Sequence, residues 1–200
     1  MICAIVLAAG LSSRMGTQKL LLPFGKKTVI SHIVDRLLSS KADKIYVVVG
    51  HQAEQIEKEL SDKQVSIVSN PDYETGMLSS VRAGLRALPS DCTAILVILG
   101  DQPSIMPQIV DELIESYSLT GKKIIIPVYN GKRGHPILFS ASYKNEILTC
   151  YDEVGLRGIL KSHESDILEI DVSDSSIVID MDYPVDYKRI LEKYENEKEK

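Results

Sequence analysis

From Ala94 to Leu99 the chain reads Ala-Ile-Leu-Val-Ile-Leu, apolar at every position. A strand with one wet face alternates apolar and polar side chains, so an unbroken run of this length predicts a strand covered on both faces. Cys3–Leu7, Lys44–Val49 and Ile124–Pro127 read the same way, with a weaker run at Val65–Val68. The stretches between them carry apolar residues at helical spacing: Val29–Leu38 behind a Thr28 cap, Glu54–Leu60, Ser79 to Leu88 stopped by Pro89, and Ile109 to Tyr117. This alternation predicts a doubly wound α/β fold, a mostly parallel sheet with helices on both faces. Ligands of such sheets bind outside the carboxyl ends of the strands. Gly10–Lys19 and Gly100–Pro103 both leave such ends and are predicted neighbours.

The second half is less regular. A basic loop, Asn130–Pro136, precedes a short strand at Ile137–Phe139; helical pieces follow at Tyr143–Leu148 and Gly155–Leu160, then strands at Ile167–Val172 and Ile177–Ile179. No linker or repeat divides the chain, so residues 1–194 are expected to form one domain, with 195–200 a frayed tail. The net charge of −5 argues against a general nucleic-acid or membrane-surface binder. No apolar run approaches the ~20 residues that span a bilayer. The cysteines, Cys3, Cys92 and Cys150, show no paired spacing and are expected to be buried reduced thiols in a cytoplasmic protein.

Chemistry concentrates after the first strand. Ala8, Ala9 and Gly10 let a ligand approach the backbone, Ser12 and Ser13 add hydroxyls, and Arg14 and Lys19 add cationic donors. Small residues and fixed positive charge at a strand end suit a triphosphate. The spacing fits neither the dinucleotide fingerprint G-x-G-x-x-G nor the P-loop G-x-x-x-x-G-K-[ST]. Asp101, just past the strongest strand, either caps a turn or holds a divalent cation. Mg²⁺ uses one or two carboxylates together with phosphate oxygens. Asp180 and Asp182 are candidates for the second carboxylate, and extended spacing would put both on one face.

Leu7-Ala8-Ala9-Gly10-Leu11-Ser12-Ser13-Arg14-Met15-Gly16-Thr17-Gln18-Lys19 resembles the L-A-A-G-x-S-x-R-M-G-x-x-K signature of the MobA-like nucleotidyltransferases at every fixed position. Three further segments are similar: Gly100-Asp101-Gln102-Pro103 to G-D-x-P, Asp180–Asp186 to D-x-D-T-P-x-D with Tyr183 in the threonine place, and Arg133–Phe139 to the R-G-H-P-[VI]-L-F of the molybdenum-cofactor cytidylyltransferase branch. Asp152–Arg157 keeps only the glycine and arginine of the family's G-D-x-G-A-R.

The resemblance implies a nucleotide-diphospho-sugar-transferase type of fold and a Mg²⁺-dependent transfer of CMP from CTP to the phosphate of molybdenum-loaded molybdopterin, releasing pyrophosphate. It implies that Arg14, Lys19 and Asp101 are catalytic and that Asp101 and Asp182, rather than Asp180, hold the metal. Nucleotide contacts are implied for Leu7 to Ser12, Arg14, Met15, Gly16, Lys19, Gly76, Ser79 and Ser80, and the second substrate for Arg133, Gly134 and His135. A molybdenum hydroxylase apo-enzyme is the implied partner. The alternatives are guanylyl transfer, sugar-1-phosphate nucleotidyl transfer, and a non-catalytic cofactor carrier or maturation chaperone.

Overall fold

The structure, a computed structural model, describes residues 1–198. β1 (Ile2–Ala8) is followed by a hairpin of β2 (Pro23–Phe24) and β3 (Lys27–Thr28), then α1 (Val29–Leu38), β4 (Lys44–Val49), α2 (Ala53–Glu59), β5 (Ser66–Ser69), α3 (Met77–Ala87), β6 (Ala94–Leu99) and α4 (Pro107–Thr120). The second half adds β7 (Ile124–Tyr129), β8 (Lys132–Arg133), β9 (Ile137–Ser140), α5 (Lys144–Thr149), α6 (Arg157–Ser162), β10 (Ile167–Asp171) and α7 (Pro184–Lys198). Residues 199 and 200 of the expected tail lie outside the described residues. Among the described residues, no helix is long and apolar enough to cross a membrane.

The central sheet runs β10-β7-β9-β6-β1-β4-β5, with β8 paired to β7. β1 pairs in parallel with β4 and β6, β4 with β5, and β10 with β7. β9 is antiparallel to both its neighbours, β6 and β7, so the sheet is mixed though mostly parallel. Period-two alternation explains the unbroken apolar runs. Ala4, Val6, Leu96 and Ile98 face a core shared with α1, α4 and α7, while Cys3, Ile5, Ile95 and Val97 face a second core under α3, α5 and α6. The Thr28 hydroxyl accepts from the Ser31 amide and caps α1 as expected.

The structure corrects two expectations. Residues 177–179 are not a strand: Ser175–Val178 form a 3-10 turn. The Asp174 carboxylate accepts from the Ser176 amide, and the Ile177 carbonyl accepts from the His135 amide and the Gln102 side chain rather than from a ladder. Cys3 and Cys92 are buried free thiols, but Cys150 is exposed, because α5 ends at Thr149 and the chain turns outward.

Gly84 brings α3 down onto β1. A Cβ there would stand 2.6 Å from Ile5 Cγ2, a branched and fully buried neighbour. Alanine gains about 1 kcal/mol of helix propensity over glycine, but overpacking a filled core costs about 1–3 kcal/mol. Gly84→Ala is therefore expected to lower the thermal midpoint by several degrees; an unchanged melting curve would show that α3 can lift off the sheet at no cost.

Candidate active site

The carboxyl ends of β1 and β6 open into a cleft of about 410 Å³. The Gly100 amide donates to the Leu7 carbonyl at 3.0 Å, and a Cβ on Gly100 would stand 2.6 Å from that same oxygen. Glycine is thus what lets the two strand ends, and the loops that leave them, lie side by side. The loop after β1 is held from within. Ser12 adopts a left-handed φ of 51°, its hydroxyl donates to Gln18 Oε1 at 2.8 Å, and the Lys19 amide donates back to Ser12 Oγ at 3.2 Å. Buried Gln18 also donates to the carbonyls of Gly10 and His51.

On the cleft floor the Lys19 ammonium stands between two carboxylates, 2.7 Å from Asp101 Oδ2 and 3.0 Å from Asp182 Oδ1. Arg14 Nη1 lies 2.6 Å from Asp182 Oδ2, with its guanidinium carbon 5.8 Å from the centre of the Tyr183 ring. Burial pushes the Asp101 carboxyl above its ordinary value, outweighing the lowering by Lys19. The bond from Lys19 pulls Asp182 down. Burial works against the charged Lys19, yet Asp101 and Asp182 prevail and raise it. The three groups differ because Asp101 is the most enclosed, so desolvation decides its shift while pairing decides the others. Asp101 Oδ1 is buried with no hydrogen-bond partner.

That orphaned oxygen and the all-oxygen donor pair suit a hard divalent cation. Among the described residues, no group of three or more His, Cys, Asp or Glu is placed to hold a metal. A cation on Asp101 and Asp182 would therefore draw its other ligands from phosphate and water. Asp180 is turned elsewhere: its Oδ1 accepts from Gln102 Nε2 at 2.8 Å. Residues 179–182 are irregular chain after the turn, and the two carboxylates take different partners, Asp180 the Gln102 amide and Asp182 the Lys19 and Arg14 cations.

Leu7, Ala9, Gly10, Leu11, Ser12, Arg14, Lys19, Gly76, Ser80, Asp101 and Asp182 all line the cleft. Ala8 and Met15 are buried beneath it and support the loop, and Gly16 is exposed in its turn. Ser79 does not line it; its hydroxyl donates to the carbonyls of Asp72 and Gly76. Sequence reasoning missed Asn70, which is buried and donates from Nδ2 to Ser79 Oγ at 2.9 Å and Ser80 Oγ at 3.0 Å. It also missed Gln18 and Gln102, whose polar side chains in turn-rich segments read as loop.

Arg133, Gly134 and His135 border a second, open cavity of about 690 Å³, lined elsewhere by Leu78, Ile137, Val154 to Arg157, Leu160 and Lys161. Met77 lines both cavities. The His135 amide donates to the Ile177 carbonyl, and burial holds its imidazole below its ordinary value against the raising influence of Asp101. Arg133 Nε is committed to Glu169 at 2.6 Å.

Known proteins resemble the chain over nearly its whole length. The molybdenum cofactor cytidylyltransferase of Escherichia coli is 29% identical over 191 residues, covering 95% of each chain. The nicotine blue oxidoreductase of Paenarthrobacter nicotinovorans is 28% identical over 203 residues, covering 95% of this chain and 96% of its own. A nucleotidyl transferase from Methanothermobacter thermautotrophicus superposes with a TM-score of 0.85 at 28% identity, over 98% of both chains. The fold is that of the nucleotide-diphospho-sugar transferases. The MobA-like NTP transferase domain itself matches residues 4–167, which take in every residue lining the cleft except Asp182, and the chain belongs to that family of nucleotidyltransferases.

Proposed function

We propose that this protein transfers CMP from CTP to the phosphate of molybdenum-loaded molybdopterin and releases pyrophosphate. The observation that carries the reading is the Lys19 ammonium set between Asp101 and Asp182 in a cleft that shares Met77 with a second cavity. It supports a reading in which the nucleotide lies on one side of this charged centre and the acceptor on the other. The cytidylyl branch is favoured by the Ala-Ala-Gly start of the loop and by Arg133-Gly134-His135-Pro136 beside the second cavity.

In this scheme an acceptor phosphate oxygen attacks the α-phosphorus of CTP in line. The α–β bridging bond breaks, and pyrophosphate leaves with the electron pair. The chain forms no covalent intermediate, so its contribution is positioning and charge stabilisation. Loop amides and the small residues Ala8 to Gly10 admit the triphosphate close to the backbone. Asp101 and Asp182 would hold Mg²⁺, which supplies Lewis-acid polarisation of phosphate oxygens. With its carboxylates so committed, the Lys19 ammonium is free to join Arg14 in neutralising the leaving pyrophosphate. Ser80, held by Asn70, contacts the base or ribose, and His135, neutral near pH 7, faces the acceptor.

The experiment is pyrophosphate release with Mg²⁺ and each of CTP, GTP, ATP and UTP, with the loaded pterin, with a sugar 1-phosphate, or with no acceptor. Release is expected only when CTP and the pterin are both present. Release with GTP would move the protein to the guanylyl branch, release with a sugar 1-phosphate would change the acceptor class, and tight pterin binding without release would make it a carrier.

A further inference from the structure

The start of α3 borders the nucleotide cleft through Gly76, Met77 and Ser80, and Leu78 faces the second cavity. One turn further along the face that carries Leu78 stands Arg82. Its side chain is 15% exposed, and all three of its nitrogens are used: Nε donates to the Ile147 carbonyl at 2.9 Å, Nη2 to the Cys150 carbonyl at 2.7 Å, and Nη1 to the Asp152 carboxylate. These acceptors lie 65 to 70 residues away in sequence, at the end of α5 and in the irregular strap that follows it.

The strap, residues 150–156, is a wall of the second cavity through Val154, Gly155 and Leu156. Tyr151 and Leu156 rest against the second core, while the rest of the strap is irregular. Tyr151 is in the left-handed region at φ 75°, unfavourable for a bulky side chain, and Val154 is 56% exposed. Tyr151 is pinned on the far side, where its hydroxyl donates to Glu146 and its ring packs on the backbone at Gly158. On the near side the fastening is Arg82. The two carbonyl bonds from a shielded guanidinium count for more than its pair with Asp152, whose side chain is 71% exposed.

We propose that Arg82 is a positioning residue that fastens the strap to the helix bordering the nucleotide, so that nucleotide binding at the start of α3 orders the acceptor wall. This rests on the assignment of the two cavities made above. Lysine cannot replace the planar fork that reaches two carbonyls at once.

Hydrogen exchange on the full chain tests it, because the amides of Val154 and Gly155 both donate to the Tyr151 carbonyl and report the strap directly. In the wild type, saturating CTP with Mg²⁺ is expected to slow exchange in residues 9–16 and also, by about threefold or more, in 150–156. In Arg82→Ala the loop stays protected and the strap does not, whereas Asp152→Asn behaves as wild type. The acceptor KM of Arg82→Ala is expected to rise about tenfold with kcat and the CTP KM within about twofold. Strap protection that survives in Arg82→Ala, or a wild-type strap indifferent to CTP while the loop is protected, overturns the proposal. CTP that protects neither segment overturns the nucleotide assignment itself, and the coupling falls with it.

Discussion

Lys19→Ala is expected to reduce kcat for pyrophosphate release by about 10²–10³-fold while changing the CTP KM by less than about threefold. The reason is where the ammonium's charge is needed. In the structure it pairs with Asp101 and Asp182, 2.7 and 3.0 Å away. Ground-state nucleotide can be held by the loop amides, Arg14 and Ser80, but charge on the departing pyrophosphate grows only as the α–β bond breaks. A group acting on that developing charge shows itself in kcat, not in binding. Equal losses in kcat and affinity would reduce Lys19 to a nucleotide contact. The variant should also fold less well, since it leaves two carboxylates facing one another with only Arg14 beside Asp182.

Asp101→Asn is expected to separate activity from stability. Transfer should fall by at least about 10³-fold, because a neutral amide is a poor ligand for Mg²⁺. Stability at pH 7 should hold or rise, with a midpoint no more than about 3 °C below wild type. The sign follows from the direction of its shift. The folded-state carboxyl is raised above its ordinary 3.8, so the stabilisation it offers is present below that value and lost as pH rises through the folded-state value. At neutral pH the ionised, enclosed carboxylate is therefore a burden on the fold. Its removal does not strand Lys19, which keeps Asp182 at 3.0 Å. Asp182 runs the other way: its lowered carboxyl stabilises the fold above 3.8, and that contribution is lost as pH falls through its folded-state value. A midpoint drop well beyond 3 °C in Asp101→Asn would mean that the carboxylate is structural.

The strands of the first half were legible because a strand covered on both faces must be apolar throughout, and Ala94–Leu99 and Cys3–Leu7 could satisfy that requirement in no other way. Direction was not legible. β9 inserts antiparallel between β6 and β7, yet Ile137-Leu138-Phe139 would read identically in either orientation. Ile177-Val178-Ile179 has strand composition, but the Asp174 cap and the side bonds from His135 and Gln102 wind the preceding residues into a turn. Local propensity yielded there to tertiary hydrogen bonding.

At the site, Arg14, Lys19 and Asp101 were readable because charge beside small residues at strand ends has few structural uses. The bridging position of Lys19 was not, since it depends on Asp182 arriving from 163 residues away. Gln18, Asn70 and Gln102 stayed hidden for another reason: their carbonyl, hydroxyl or carboxylate partners sit on other elements, 33 residues away for Gln18, 9 and 10 for Asn70 and 78 for Gln102. In sequence they are ordinary turn residues.

The most direct test follows the α-phosphorus. With Mg²⁺, α-labelled CTP and molybdenum-loaded molybdopterin, label should pass into the pterin as a phosphoanhydride-linked CMP, in step with the pyrophosphate released, while label in the γ position leaves with the pyrophosphate. Label that appears as free CMP at the same rate with or without the pterin would make the protein a hydrolase. Label that stays in CTP would contradict cytidylyl transfer to this acceptor.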